Sequence, residues 1–273
     1  MNRIVRTIAV TAAAMFAIGG GTAGAGEGQG GGHGHYADVN GLRMYYEVHG
    51  KRNGQPPVVL IHGALSATGT SFGELVKPLS RTRQVISVEQ QGHGRTADID
   101  RPLRIPQMAE DTVALLDQIG VEKADIWGYS MGGAIALQIG VNHPEKVNKL
   151  VLQSAGNTAG YHPGHDEAME NLRPEMLYGS PFHQEYLDIA PNPEDFETLV
   201  EKVRDMVRHT TDVPPAAIQA MDIPMLTLMG DSDIFRPEHA VELFRLTGGG
   251  VNGDMVGLPD SQLAVLPGTS HIG

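Results

Sequence analysis

An α/β fold with a mostly parallel central sheet is what this sequence predicts, and three observations predict it. Short continuous apolar runs recur along the chain, as at residues 58–62 and 85–88. Runs of that length fit strands buried on both faces. Stretches of helical periodicity alternate with them, and that alternation argues for crossovers that place helices on both faces of a sheet. The chain has 273 residues, enough for one large core in a single domain.

The elements follow in order. Residues 36–39 and 42–48 are β-prone and flank Asn40-Gly41, a dipeptide that tolerates the positive φ angles of a tight hairpin turn. Strands are predicted at 58–62 and 85–88. A helix is predicted at 108–119, where Met108, Val113, Leu115, Leu116 and Ile119 recur at helical spacing. A strand at 124–129 leads into a helix at 131–141 that is rich in small residues. Three more short strands are read at 149–152, 225–229 and 263–266. Between 155 and 221 the alternation stops. That stretch is polar and rich in Pro, His and Glu, with helices expected near 185–187 and 195–207, and it reads as a helical cap inserted over the sheet edge. The core is then 36–154 together with 222–273.

The N-terminus reads differently. Arg3 and Arg6 precede an apolar, alanine-rich run at 8–18, and Ala23-Gly24-Ala25 offers the small-x-small pattern of a cleavage site. Residues 1–25 are therefore expected to be a signal peptide, and the protein periplasmic or secreted. The apolar run is too short for a stable membrane span. Residues 26–35 are glycine-rich and read as a flexible linker.

Composition excludes several function classes. The formal net charge is −12, so phosphate backbones offer no counterion-release gain and nucleic acid is not an expected partner. The chain has no cysteine, which removes disulfides, thiolate metal sites and a cysteine nucleophile. No spacing of three convergent metal ligands is present in the sequence.

The chemistry centres on Gly128-Tyr129-Ser130-Met131-Gly132, a G-x-S-x-G pattern. In a glycine-rich chain the pattern alone is weak. Its setting, with a strand running in and a helix running out, is the elbow that exposes a serine on a strained turn. Glycines beside the serine are needed because a Cβ there would clash. A serine hydroxyl needs a base, and the base needs a partner that fixes its tautomer. Gly230-Asp231-Ser232-Asp233 follows the strand at 225–229, where ligand sites of open α/β sheets gather. Of the two aspartates, Asp233 lies further out in the loop and is the chosen acid, with Asp231 assigned to turn hydrogen bonds. His271 follows the last strand and is the expected base. The chain has twelve histidines, so position and order select it. His93, His143 and His239 are read as surface or turn residues. The oxyanion donors are expected to be the N–H groups of Met131 and Ala64, the latter in the turn His62-Gly63-Ala64-Leu65, which His62 braces.

Together these residues resemble the α/β-hydrolase superfamily from Tyr36 to Gly273. The carriers are His62-Gly63, Gln91-Gly92-His93-Gly94-Arg95-Thr96, the serine motif with Gly133, His143-Pro144-Glu145-Lys146-Val147, Gly230-Asp231-Ser232-Asp233 and Pro267-Gly268-Thr269-Ser270-His271. In style it is similar to small bacterial esterases, enol-lactonases and cofactor-free perhydrolases. The resemblance implies a G-x-x-D acid, which falls on Asp233, and a serine esterase that needs no metal or organic cofactor and acts on a small ester or lactone. Lactone or peracid chemistry on the same triad, carbon–carbon hydrolysis and a non-catalytic binding role are its rivals. Two departures stand out. Gln91 occupies a position where many relatives have Arg. Relatives also continue past the histidine with a helix on the sheet's flank, so an uncovered apolar flank and a loosely held His271 are expected here.

Overall fold

A computed structural model describes residues 33–272. The segment expected to be a signal peptide, and most of the expected linker, lie outside the described residues. Eight strands form one sheet in the order β1-β2-β4-β3-β5-β6-β7-β8. They are β1 (His33–Val39), β2 (Leu42–His49), β3 (Val58–Ile61), β4 (Val85–Val88), β5 (Ala124–Tyr129), β6 (Val147–Gln153), β7 (Met225–Ser232) and β8 (Ser261–Ser270). β2 runs antiparallel to β1 and β4, and every other pairing is parallel. The architecture is thus the expected one, a mixed and mostly parallel sheet with flanking helices.

The first hairpin turns as its sequence requires. Asn40 and Gly41 both have positive φ, 48° and 81°, which matches the twist of the flanking strands. One boundary needs correcting. Residues 33–35, read as linker, belong to β1, where His33 pairs with Val48 and His35 with Tyr46. Pairing with β2 supplies the backbone partners that a glycine-rich segment cannot supply for itself.

The sheet has two differently covered faces. On one, Val59 and Ile61 of β3, Ile126 of β5 and Leu150 and Leu152 of β6 pack beneath α2 (Ile105–Gln118) and α3 (Met131–Asn142) in the main core. Burial of each such side chain stabilises by about 1.5–3 kcal/mol. On the other, Val58, Leu60 and Val85 pack with Phe72 of α1 (Thr68–Leu79). Alternation along β3 therefore feeds both cores. Beyond α1 the second face thins out. Trp127, Tyr129, Val151, Leu226 and Leu228 are half-buried, and Leu266 is exposed.

The segment between β6 and β7 carries α4 (His165–Asn171), α5 (Pro181–Ile189), α6 (Phe196–Arg208) and α7 (Pro215–Gln219). Helix α8 (Pro237–Leu246) packs on β7 and β8. Gln91 has a concrete role in the core. Its amide donates to Asp98 and Arg101 and accepts from the Arg101 guanidinium, which in turn reaches the buried Asp111. Lys202 of α6 ties into the same loop through Asp98. Among the described residues no helix is long and apolar enough to cross a membrane.

Candidate active site

Strand β5 delivers Ser130 to the C-terminal edge of the sheet. The residue has φ 52° and ψ −117°, a left-handed elbow that a non-glycine residue adopts only under constraint. The constraint is steric. A Cβ on Gly128 would lie 2.1 Å from the Gly132 carbonyl oxygen, and one on Gly132 would lie 1.9 Å from that of Ile61. Strand, elbow and helix close on one another only because both positions are glycine. Helix α3 begins at Met131, so its first N–H groups and their partial positive charge sit behind the serine.

The structure brings the three expected side chains together. Nε2 of His271 lies 2.9 Å from Ser130 Oγ, and Nδ1 lies 2.8 Å from Asp233 Oδ1. The Asp233 carboxylate is fully buried. Burial acts to raise its pKa, but the hydrogen bond from His271 and that ring's charge outweigh burial and hold it below the usual carboxylate value. The Phe235 N–H adds a bond at 3.3 Å. Asp231 behaves differently: it is exposed, and both of its oxygens accept from Gly268 N at 3.0 Å. It pins the turn before His271 and does not reach the ring.

The expectation of a loosely held His271 does not fit the contacts. Tyr129, half-buried beside Ser130, donates its hydroxyl to the His271 carbonyl at 2.7 Å, and the two rings lie 5.4 Å apart. Pairing of Ser232 with Ser270 secures the preceding residue. Tyr129 was visible in the sequence only as the x of G-x-S-x-G, which carries no instruction about its partner.

The turn holding Ala64 abuts the nucleophile. A Cβ on Gly63 would come within 3.4 Å of Ser130 Cβ. His62 accepts from Gln90 N at Nε2, so its Nδ1 carries the proton and donates to the Gly63 carbonyl at 2.7 Å. Burial lowers the His62 pKa, keeping the ring neutral in this role. Ser66 also donates to Gly63 O, and Gly63 N donates to Ser71. Leu65 is left-handed at φ 62° and buried, so the turn is held firmly in an uncommon conformation. The His93 ring lies tilted beside that of His62, with ring centroids 5.1 Å apart. It makes the expected turn bond to Gln91 O but is fully buried, not at the surface. Burial, with the neighbouring His62 ring a smaller influence, depresses its pKa to about 3. His143 pairs with Glu110 at the surface, whereas His239 is buried and accepts from Asn157 N.

A cleft of about 190 Å³ opens beside His271, lined among others by Thr70, Ser71, Tyr129, Ser154 and Phe182. Phe182 belongs to α5, and no local sequence signal pointed to it. Among the described residues no cluster of three or more His, Asp or Glu side chains is arranged to hold a metal ion. A nucleophile in contact with a base, a base held by a buried acid, and a helix N-terminus facing a tight turn can together carry acyl transfer.

Comparison with known proteins agrees with this fold. A family model described as alpha/beta hydrolase fold matches residues 56–216. A protein of Agrobacterium fabrum named "Putative carbamate hydrolase RutD" is 25% identical over 256 residues, 84% of this chain and 91% of its own length. Among solved structures, the chain is similar to Est816, described as an N-acyl homoserine lactone degrading enzyme, with a TM-score of 0.66 at 21% identity over 87% of this chain and 93% of that one. It is also similar to the enol-lactonase from Burkholderia xenovorans LB400, with a TM-score of 0.64 at 18% identity over the same shares. At those identities the two structures speak for the fold.

Proposed function

The chain belongs to the α/β-hydrolase fold family, and from that premise we propose that it is a serine hydrolase cleaving carboxylic esters of small substrates through an acyl-enzyme on Ser130. The observation that carries the reading is the continuous hydrogen-bonded line from Ser130 Oγ through His271 to the buried Asp233. In the first step His271 takes the serine proton as Oγ attacks the carbonyl. The N–H groups of Ala64 and Met131 receive the developing oxyanion, and His271 returns the proton to the departing alcohol. In the second step His271 draws a proton from water as the water oxygen attacks the acyl carbonyl, then gives that proton to Ser130 Oγ as the C–Oγ bond breaks and the acid leaves. Asp233 holds the ring so that Nδ1 keeps its proton and Nε2 faces the serine.

Lactone hydrolysis is the second reading on the same residues. It is favoured by the lactone chemistry named for the two similar structures. Comparing turnover of p-nitrophenyl butanoate with that of small lactones separates the two. The proposal as a whole is tested by Ser130→Ala, which is expected to abolish turnover of either class. Unchanged turnover in that variant refutes the nucleophile. We also propose export to the periplasm or exterior, on the charge, apolar run and small-x-small pattern of residues 1–25. N-terminal sequencing of protein recovered from the expected compartment tests it, with an uncleaved Met1 as the contrary result.

A further inference from the structure

The turn that holds Ala64 is strained, and strain persists only where the surroundings over-determine it. Leu65, next to Ala64, is left-handed at φ 62° although it is not glycine. Most of what holds the turn is local. His62 Nδ1 and Ser66 Oγ donate to the Gly63 carbonyl, Gly63 N donates to Ser71 Oγ, and the two serine hydroxyls meet at 2.8 Å. Ser71 N in turn donates to Ala67 O. These bonds tie the turn to its own residues and to the start of α1.

One anchor comes from far away in the chain. Glu185 of α5 accepts from Ala67 N through Oε2 and from Thr70 N through Oε1, each at 2.8 Å, and also from the Thr70 hydroxyl. Ala67 is the N-cap of α1 and has no side chain to cap with, and the first turn of α1 holds no acid. A single remote carboxylate therefore supplies both the cap and the negative charge that a helix start favours. Gly69 makes room for it, since a Cβ there would lie 2.5 Å from Glu185 Oε1. Helix α5 is itself anchored. Ser180 caps it by accepting from His183 N, and the ring centroids of Tyr186 and Phe196 of α6 lie 5.4 Å apart. We infer that Glu185 is a positioning residue for the oxyanion donor: by gripping Ala67 and Thr70 it fixes the far end of the turn whose Ala64 N–H receives the oxyanion. The inference rests on the ester reading above and adds to it a residue outside both the triad and the turn. The Met131 N–H is set by the elbow itself, so loss of Glu185 loosens one of the two donors and leaves the contacts of Ser130, His271 and Asp233 in place.

The test compares Glu185→Ala and Glu185→Gln with the native protein in kcat on p-nitrophenyl butanoate. Turnover is counted per serine labelled to completion by an organophosphonate, so that unfolded molecules drop out. Removing an oxyanion donor outright costs about 10²–10³ in kcat. A donor kept but loosened should cost about tenfold in Glu185→Ala, with KM within about threefold. Glu185→Gln keeps one acceptor oxygen and should fall between; it carries the test if the alanine variant fails to fold. The readout that separates positioning from mere stability is affinity for butylboronic acid. Its boron bonds to Ser130 Oγ as His271 takes the proton, which leaves a boron-bound oxygen where the oxyanion forms. That affinity should weaken by about the same factor as kcat/KM, because the adduct draws on the donors that serve the transition state. Ser180→Ala, which uncaps α5 without touching Ala67 or Thr70, is the control and should keep kcat and boronate affinity within about twofold. Native kcat and native boronate affinity in a folded Glu185 variant, or an equal loss in Ser180→Ala, overturns the inference while leaving the ester reading intact. No ester turnover by the native protein, or undiminished turnover by Ser130→Ala, overturns the ester reading and the inference with it.

Discussion

Replacing Asp233 by Asn probes the arrangement at its least forgiving point. The native carboxylate offers only acceptors to His271 Nδ1, at 2.8 Å, and so fixes the proton there. An amide can turn its NH2 toward the ring. Nδ1 would then become the acceptor, Nε2 would carry the proton, and the atom 2.9 Å from Ser130 Oγ could no longer accept one. The Asp233 side chain has 0% exposure, so water cannot restore the lost acceptor. The full penalty for a wrong tautomer on a triad is about 10⁴-fold in kcat, or about 5 kcal/mol of transition-state stabilisation. Asp231→Asn is the matched control. Its amide oxygen can still accept from Gly268 N, so kcat is expected to stay within about threefold, in the range of surface changes. Steady-state kinetics on p-nitrophenyl butanoate decides. A large loss in the Asp231 variant with little in the Asp233 variant would refute the assignment of the acid.

Three further outcomes follow from the same contacts. Gly132→Ala places a methyl group 1.9 Å from the Ile61 carbonyl oxygen, a backbone atom that cannot swing aside. A loss of about 3 kcal/mol or more is expected in urea unfolding, and a variant of native stability would contradict the elbow geometry. Burial holds His93 neutral with a pKa near 3, against 6.5 for a free histidine, so only the unfolded chain takes up its proton in that window. Its contribution is intact above pH 6.5 and is lost as pH falls toward 3, about 2 kcal/mol of it by pH 5. Glu89 acts in the opposite sense, because burial raises its carboxyl to about 7 and stability is lost as pH rises from 4.5 through that value. Comparing His93→Gln with the native protein at pH 7 and pH 5 isolates the histidine, and an identical acid slope would contradict its burial as a neutral ring. Tyr129→Phe removes the hydroxyl that holds the His271 carbonyl at 2.7 Å. A fall of about tenfold in kcat is expected from loosening the base, and unchanged kcat would show that the strand pairing before His271 suffices.

What could be read from the sequence divides along physical lines. The strands at Val58–Ile61 and Val85–Val88 were legible because burial on both faces leaves an unbroken apolar run. The elbow was legible because its steric demand can be met only by glycine at fixed offsets from Ser130. Chain order then placed Asp233 and His271. Helix α1 was not legible: Gly69, Gly73 and Pro78 weaken its local signal, and Phe72 packing and the remote Glu185 cap hold it. Residues 33–35 were misread for a similar reason, since pairing with β2 makes that segment a strand. Glu185, in the segment between β6 and β7, acts through contacts with a loop far away in sequence, and no local pattern encodes such contacts. Tyr129 and the burial of His93 belong to the same class.

The most direct test of the account is intact mass and peptide mapping after exposure to an organophosphonate ester that leaves one phosphonyl group on an activated serine. One adduct per chain on the peptide containing Ser130 is predicted, with none in Ser130→Ala and labelling at least a hundredfold slower in Asp233→Asn, on the order of the relay's contribution. Labelling of Ser130→Ala at the native rate, or an adduct on another residue, would contradict it.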